Sequence, residues 1–269
     1  MDNYAVIGNP IAHSLSPRIH ALFAEQTGEE LTYRAILSHP GEFTGDVEAF
    51  RRAGGHGLNV TLPFKEQAWE YVTHSSARAD RVRAANLIRF DADGRVYGDS
   101  TDGVGLVRDL SANTVKVVRK RILLVGAGGA VRSVLGNLLD EQPAAVTVIN
   151  RTRARAQALL ELFPEAGGVL TVQGFDEPAA GPYDLVINGA SAGLAGQTLP
   201  LPDGVLAPGA CCYDMIYGKA ARAFLNWAAG NGAARRLDGL GMLVEQAAES
   251  FYLWRGIRPE TQPVIDALR

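Results

Sequence analysis

Apolar and polar positions alternate between two periods along this chain. Tyr4–Ile7 is a short apolar run and reads as a strand; Pro17–Gln26, after the polar Ser16, has helical spacing. Thr32–Leu37 reads as a second strand, Phe43–Arg52 as a helix and Gly57–Leu62 as a third strand. Helical segments follow at Glu66–Val72 and Ala77–Arg83. Leu87–Phe90 and Arg95–Tyr97 flank Asp91-Ala92-Asp93-Gly94, a hairpin turn signal. Such alternation predicts an α/β domain with a mainly parallel sheet.

A second βαβ series begins near Arg121. Ile122–Val125 is continuously apolar, as in a parallel strand buried on both faces. Gly126–Gly129 interrupts it, and Val131–Leu139 reads as a helix. Val146–Ile149, a helix through Leu162, and strands at Asp184–Ile187 and Ala210–Tyr213 complete a Rossmann-type dinucleotide-binding pattern. Met242–Trp254 is an amphipathic helix and Pro259–Leu268 a short one, with no strands of their own to cover. They are expected to return to the first domain. The expected division is 1–102 with 238–269 as one domain and 103–237 as the other.

Composition narrows the function classes. The 269 residues are 47% apolar and 20% charged, enough to bury a core without staples. A net charge of −3 gives no argument for nucleic acid, and no apolar run approaches a membrane span. Met1-Asp2-Asn3-Tyr4 lacks a basic region followed by an apolar one, so no secretory signal is expected. Cys211 and Cys212 are adjacent and read as core residues of a strand; the five histidines show no ligand spacing. No metal is expected, and a cytoplasmic location fits.

Gly126-Ala127-Gly128-Gly129-Ala130 ends a strand and opens a helix. In that context glycines let the backbone approach a pyrophosphate at the helix N-terminus. Val131 replaces the third glycine of the usual G-x-G-x-x-G pattern. At the end of the next strand, Asn150-Arg151-Thr152 stands where an NAD site places an acid. Arg151 and Arg155, at i and i+4, are expected to share a helix face and clamp a 2′-phosphate, against the alternative of a solvated basic helix start.

The stretch Asn59-Val60-Thr61-Leu62-Pro63-Phe64-Lys65-Glu66 places an amide, a hydroxyl and an ammonium around one strand-to-helix turn. Strand alternation predicts Asn59 and Thr61 on one face, with Leu58, Val60 and Leu62 on the other. Pro63 suits a first helical turn, with Lys65 just inside. Such a set suits a small polyhydroxylated substrate and one proton. Asp102 could orient the Lys65 ammonium; as a plainer role it caps the helix Gly103–Leu110. Ser14 and Ser16 could equally be turn and cap residues.

Together these stretches resemble the shikimate dehydrogenase family. The resemblance runs through Ser14–Pro17, Asn59–Glu66, Ala85-Asn86, Ser100–Gly103, Gly126–Ala130, Asn150–Thr152, Asp214–Tyr217, Asp238–Met242 and Gln246–Ala248, in order across nearly the whole chain. It implies NADP-dependent interconversion of shikimate and 3-dehydroshikimate by two α/β domains. Ser14, Ser16, Asn59, Thr61, Lys65, Asn86, Asp102, Tyr217 and Gln246 would contact substrate, with Lys65 and Asp102 as the catalytic pair. Gly126, Ala127, Gly128, Gly129, Ala130, Asn150, Arg151, Thr152 and Arg155 would hold the adenine side of the cofactor, and Met215 and Gly239 would lie near the nicotinamide. The implied partner is a small molecule, bound by a monomer or homodimer. The chain departs from the family at Leu87 and Ala190, each in place of a usual Thr, and at Ser100, in place of a usual Asn; Ser191 follows Ala190. An NAD-using quinate/shikimate dehydrogenase is the alternative among enzymes, and a non-catalytic nucleotide sensor is the alternative outside them. Retention of Lys65 and Asp102 argues against the second. Whether Lys65 is a base or an orienting cation is open from sequence.

Overall fold

A computed structural model describes residues 1–177, 180–190, 201 and 204–269. The elements are β1 (Asp2–Gly8), α1 (Ser16–Thr27), β2 (Leu31–Leu37), α2 (Phe43–Arg52), β3 (Gly55–Val60), α3 (Lys65–Tyr71), β4 (His74–Ser75), α4 (Ala77–Val82), β5 (Leu87–Phe90), β6 (Val96–Asp99) and α5 (Asp102–Ala112). They continue with β7 (Arg121–Val125), α6 (Gly129–Asp140), β8 (Ala145–Ile149), α7 (Arg153–Leu162), β9 (Leu170–Gln173), β10 (Tyr183–Asn188), β11 (Leu206–Asp214), α8 (Arg222–Gly230), β12 (Arg235–Leu237), α9 (Leu240–Arg255) and α10 (Gln262–Leu268). The chain divides into two units, Met1–Gly105 with Leu243–Arg269, and Leu106–Met242; both divisions fall inside helices, α5 and α9.

The first unit holds a sheet in the order β2-β1-β3-β5-β6-β4. β1 pairs parallel with β2 and β3, and β4 with β6, whereas β5 runs antiparallel to both β3 and β6. The expected hairpin accounts for this reversal: Gly94 takes φ 86°, and the Gly94 N–H donates to the Asp91 carbonyl. On α1, Ser16, Ile19, His20 and Phe23 form the buried face. A core of Ala5, Ile7, Phe43, Val47, Phe50, Leu58, Val60 and Phe64 fills the space between the sheet and its helices.

The C-terminal helices do return to this unit. Phe251 packs edge-on against Phe23 at 5.8 Å, and Trp254 stacks on Tyr4 at 4.6 Å. The Trp254 Nε1–H donates to the Ile88 carbonyl at 3.1 Å. An ionic chain reinforces the contact. Arg78 grips the Asp99 carboxylate at 2.6 and 2.9 Å and reaches Glu249 at 3.2 Å; Arg258 then joins Glu249 and Glu245 at 2.9 and 2.8 Å. Burial pushes the Asp99 carboxyl up, but Arg78, Ser76 and Tyr97 together outweigh it and hold the group below its usual range.

The second unit carries an all-parallel sheet, β12-β11-β10-β7-β8-β9. α6 covers it with Val131, Val134, Leu135 and Leu138, all buried, at the i, i+3, i+4, i+7 spacing. Cys211 and Cys212 are buried free thiols in β11. Four short elements escape the apolar pattern: β4, β9, α8 and β12. β9 and β12 are edge strands whose side chains, apart from the buried Leu170, are partly or fully exposed, so little apolar periodicity marks them.

Gly57 is a tight joint between β3 and α9. A Cβ there would lie 2.5 Å from Trp254 Nε1 and 2.7 Å from the Ile88 carbonyl oxygen. Gly57→Ala should destabilise by about 1–3 kcal/mol through overpacking. Calorimetry should show a melting temperature lower by roughly 2–10 °C; an unchanged value would contradict the packing.

Candidate active site

The turn after β3 differs from its expected form. β3 stops at Val60, not Leu62: the Thr61 N–H makes the last bond to β1, at the Ile7 carbonyl, and the Phe64 N–H then closes a turn onto the Thr61 carbonyl. Pro63 lies inside that turn, after a cis Leu62–Pro63 peptide, instead of in the first turn of α3. Leu62 is therefore 52% exposed and does not share the buried face of Leu58 and Val60. The Thr61 methyl points at Gly8, where a Cβ would fall 2.3 Å away. Its hydroxyl has no hydrogen-bond partner among the described residues.

Lys65 opens α3 and Asp102 opens α5, so Asp102 is the first helical residue and not the cap. A carboxylate in a first turn is favoured by the helix dipole. Lys65 Nζ donates to Asp102 Oδ2 at 2.6 Å, with side chains only 17% and 10% exposed. Asp102 Oδ1 accepts from Asn86 Nδ2 at 2.9 Å. The Asn86 amide also reaches Thr101 Oγ1 at 2.9 Å and Gln246 Oε1 at 3.3 Å, while its Oδ1 accepts from the Thr101 N–H at 2.7 Å. With two amide hydrogens and three acceptors around it, Asn86 has no donor left over. It holds Asp102 and Thr101 in place.

Asn59 is similarly committed. Its Nδ2 donates to Ser250 Oγ at 2.9 Å and the Asn86 carbonyl at 3.2 Å, and its Oδ1 accepts from the Tyr33 hydroxyl at 2.7 Å. One Oδ1 lone pair remains, so Asn59 can accept one further hydrogen bond but donate none. Gln246 donates one hydrogen to the Leu243 carbonyl at 2.8 Å and keeps the other. Ser14 and Ser16 lie together at the start of α1. Ser16 begins the helix without capping it; instead the Ser14 hydroxyl accepts from the Ser16 N–H at 3.3 Å. Apart from Tyr217, the substrate residues named in the sequence reading belong to the first unit. Tyr217 lies three residues past β11 in the second.

The second unit carries the cofactor candidates. Gly126 needs to be glycine for the fold itself: φ is 104°, and a Cβ would sit 3.2 Å from the Ala190 nitrogen. Gly128 and Gly129 differ, because a Cβ at either meets nothing within 4 Å. Gly128 precedes α6 with no side-chain cap. Uncapped N–H groups beside an open cradle fit a phosphate. Val131 is tolerated in place of the third glycine because Gly189 yields the room: a Cβ at 189 would fall 2.4 Å from Val131 Cγ2. Asn150 Nδ2 ties the next turn together through the Thr152 carbonyl at 2.8 Å. α7 starts at Arg153, so Arg151 precedes the helix and cannot share a helical face with Arg155. Both arginines are exposed and have no ion pair among the described residues, whereas Arg153 pairs with Glu177. The structure brings Met215 and Gly239 together: the Gly239 N–H donates to the Ile216 carbonyl at 3.0 Å, and a Cβ on Gly239 would lie 2.3 Å from the Met215 carbonyl oxygen.

Family models match in three consecutive stretches. These are the shikimate dehydrogenase substrate binding domain over residues 6–88, shikimate / quinate 5-dehydrogenase over 109–193, and the shikimate 5′-dehydrogenase C-terminal domain over 239–269. A protein of Alkalilimnicola ehrlichii named shikimate dehydrogenase (NADP(+)) is 56% identical across 100% of this chain and 98% of its own. The chain belongs to the shikimate dehydrogenase family. A Hahella chejuensis protein of the same name is 53% identical over 100% of this chain and 99% of its own. Among solved structures, shikimate 5-dehydrogenase of Thermus thermophilus in complex with NADP(H) and shikimate superposes with a TM-score of 0.89 at 34% identity, covering 99% of this chain and 98% of that one. An Ael1 enzyme from Pseudomonas putida gives 0.91 at 42% identity, covering 100% and 98%.

Against this family background, the departures fall outside the Lys65–Asp102–Asn86 contacts. Leu87 is buried in β5. Ser100 is buried with its hydroxyl unpartnered among the described residues. The Ala190 N–H donates to Asn188 Oδ1 at 3.1 Å, and Ser191 lies outside the described residues. Sequence reading missed Ser250, Thr101 and Tyr33. Ser250 was detectable, since it lies one turn beyond Gln246 on α9; Tyr33 carries no local signal.

Asp214 ends β11 with no exposed surface. Its Oδ1 accepts from Asn188 Nδ2 at 3.1 Å and the Ile216 N–H at 3.0 Å, while Oδ2 has no partner among the described residues. Burial pushes its carboxyl from 3.8 up to about 6. The folded chain thus favours the neutral acid, and that stability is full below the unfolded value and lost as pH rises through about 6. Asp214→Asn should therefore gain on the parent between pH 4 and pH 8 by roughly 3 kcal/mol, about two pH units at 1.4 kcal/mol each. Melting curves of both proteins at the two pH values measure this; an equal gap at both would contradict the assignment.

Proposed function

We propose that this chain interconverts 3-dehydroshikimate and shikimate through the Lys65–Asp102 pair, as an NADP-dependent step of aromatic amino-acid precursor synthesis. The observation that carries the reading is one carboxylate held at both oxygens, by an ammonium at 2.6 Å and an amide at 2.9 Å. Oxidising a ring alcohol removes a hydride and a hydroxyl proton. Bound NADP supplies the hydride acceptor. The protein must bind the ring, orient the hydroxyl and move its proton. Lys65 Nζ and Asp102 retain capacity to engage that hydroxyl from two sides. Lys65 carries the proton, and Asp102 orients both the ammonium and the hydroxyl.

Thr61, with its free hydroxyl, and Gln246, with one free amide hydrogen, serve the other ring hydroxyls. Ser14 and Ser16 take the carboxylate, and Asn59 accepts one hydrogen bond at most. Tyr217 completes the substrate contacts. Gly126–Ala130 receive the pyrophosphate, and Asn150–Thr152 with Arg155 receive the adenosine 2′-phosphate. The protein acts in the cytoplasm as a monomer or homodimer, with no nucleic-acid partner. Nicotinamide absorbance with shikimate and quinate, each with NADP and NAD, tests the reading; turnover with quinate and NAD alone would overturn it.

Lys65→Met removes charge and proton carrier at similar volume. Turnover should fall about 100-fold or more, in the range of a lost acid–base group, with NADP affinity by fluorescence titration unchanged. Near-parental turnover in the folded variant would transfer the proton to Asp102 or a water it holds.

Arg151→Ala with Arg155→Ala should lower kcat/KM for NADP by about 100-fold, as for two lost charge-assisted contacts, and leave NAD nearly unaffected. An equal loss with both cofactors would place the arginines on a group that NAD also has.

A further inference from the structure

We infer that Tyr33 is a positioning residue of the substrate site, its phenol anchoring the oxygen end of an Asn59 amide whose nitrogen faces Asn86, with one oxygen lone pair left for substrate. This rests on reading Asn59 as a substrate residue. Hydrogen-bond direction decides the orientation. The Asn86 carbonyl can only accept, so the nitrogen of the Asn59 amide must face it, at 3.2 Å. That leaves Oδ1 toward Tyr33, and the phenol must donate to it, at 2.7 Å. The Ser16 hydroxyl lies against the same phenol. Tyr33 therefore joins a residue proposed for the substrate carboxylate to one proposed for a ring hydroxyl.

The ring itself is held. His20 stacks on it at 4.1 Å and 7° between planes. His20 is 1% exposed; the Asn59 side chain lies near its ring, but neither ring nitrogen makes a hydrogen bond among the described residues, so His20 serves here by packing. Burial pushes its pKa down to about 3, so the ring stays uncharged. From Asn59 the chain of contacts continues to Ser250 at 2.9 Å, Thr101 at 3.3 Å, Asn86 at 2.9 Å and Asp102 at 2.9 Å. Without the phenol, Asn59 Oδ1 loses its 2.7 Å hydrogen bond and the amide is held through its nitrogen.

The test is a double-mutant cycle on the full chain with shikimate and NADP. Tyr33→Phe keeps the stack on His20 and removes one oxygen. It should raise KM for shikimate about tenfold and lower kcat less than threefold, with NADP affinity by fluorescence titration unchanged. Asn59→Ala should also raise KM, and the double variant should match Asn59→Ala alone. Asn59→Ser serves the same cycle if the alanine variant does not fold. An unchanged KM in Tyr33→Phe, multiplicative effects in the double variant, or equal weakening of shikimate and NADP binding would each overturn the role of Tyr33. If instead Asn59→Ala leaves KM unchanged, the reading of Asn59 itself fails.

Discussion

The first unit is organised around one carboxylate. Asp102 is nearly buried, so its charge must be met on both oxygens, and Lys65 and Asn86 do so from two different elements. Removing either partner of such a pair strands a charge away from water, at a cost of roughly 3–5 kcal/mol. The surrounding structure meets that constraint. β3 and β5 pair antiparallel, which sets Asn59 opposite Leu87 beside Asn86. The Asn86 N–H is held by the Asp99 carbonyl, and Asp99 is gripped by Arg78. The same ionic chain then reaches α9 through Glu249, so the element carrying Gln246 and Ser250 is tied to the strand that leads into Asp102. A local mechanism thus depends on residues as far apart in sequence as Asn86 and Gln246.

The second unit poses the opposite problem. There the chemistry requires openings. Gly128 and Gly129 leave space above an uncapped helix start, and Arg151 and Arg155 have no partner among the described residues. Val131 shows how such a loop varies without losing its shape: the methyl that a third glycine would lack is received by Gly189 at the end of β10. Val131 and Gly189, on different parts of the chain, fit together in one packing contact.

Much of this was legible in the sequence because the signals are local. A continuous apolar run marked β7, largely apolar runs marked β8 and β10, the Asp-Gly turn marked the β5–β6 hairpin, and helical spacing marked α6. The glycine loop and Lys65 were placed by their positions at strand ends. What escaped was set by pairing at a distance. β9 and β12 form where a neighbouring strand offers an edge, and apart from Leu170 their own side chains bury little. The saturation of Asn59 and Asn86 depends on Tyr33, Thr101, Gln246 and Ser250, which no spacing rule connects. Pro63 obeyed the turn closed by Phe64 in place of its preference for a first helical turn. Arg151 fell outside α7 because the helix starts two residues later than an i, i+4 clamp requires.

In the proposed reaction, the reacting hydroxyl is met by Lys65 and Asp102 together, on a carboxylate that Asn86 keeps in place. A crystal structure of the enzyme with shikimate and NADP bound measures this directly. One ring hydroxyl is expected within about 3 Å of both Lys65 Nζ and an Asp102 oxygen, with Asn86 Nδ2 still donating to Asp102 Oδ1. A ring hydroxyl that meets neither group, or an Asp102 carboxylate turned away from Asn86, would contradict it.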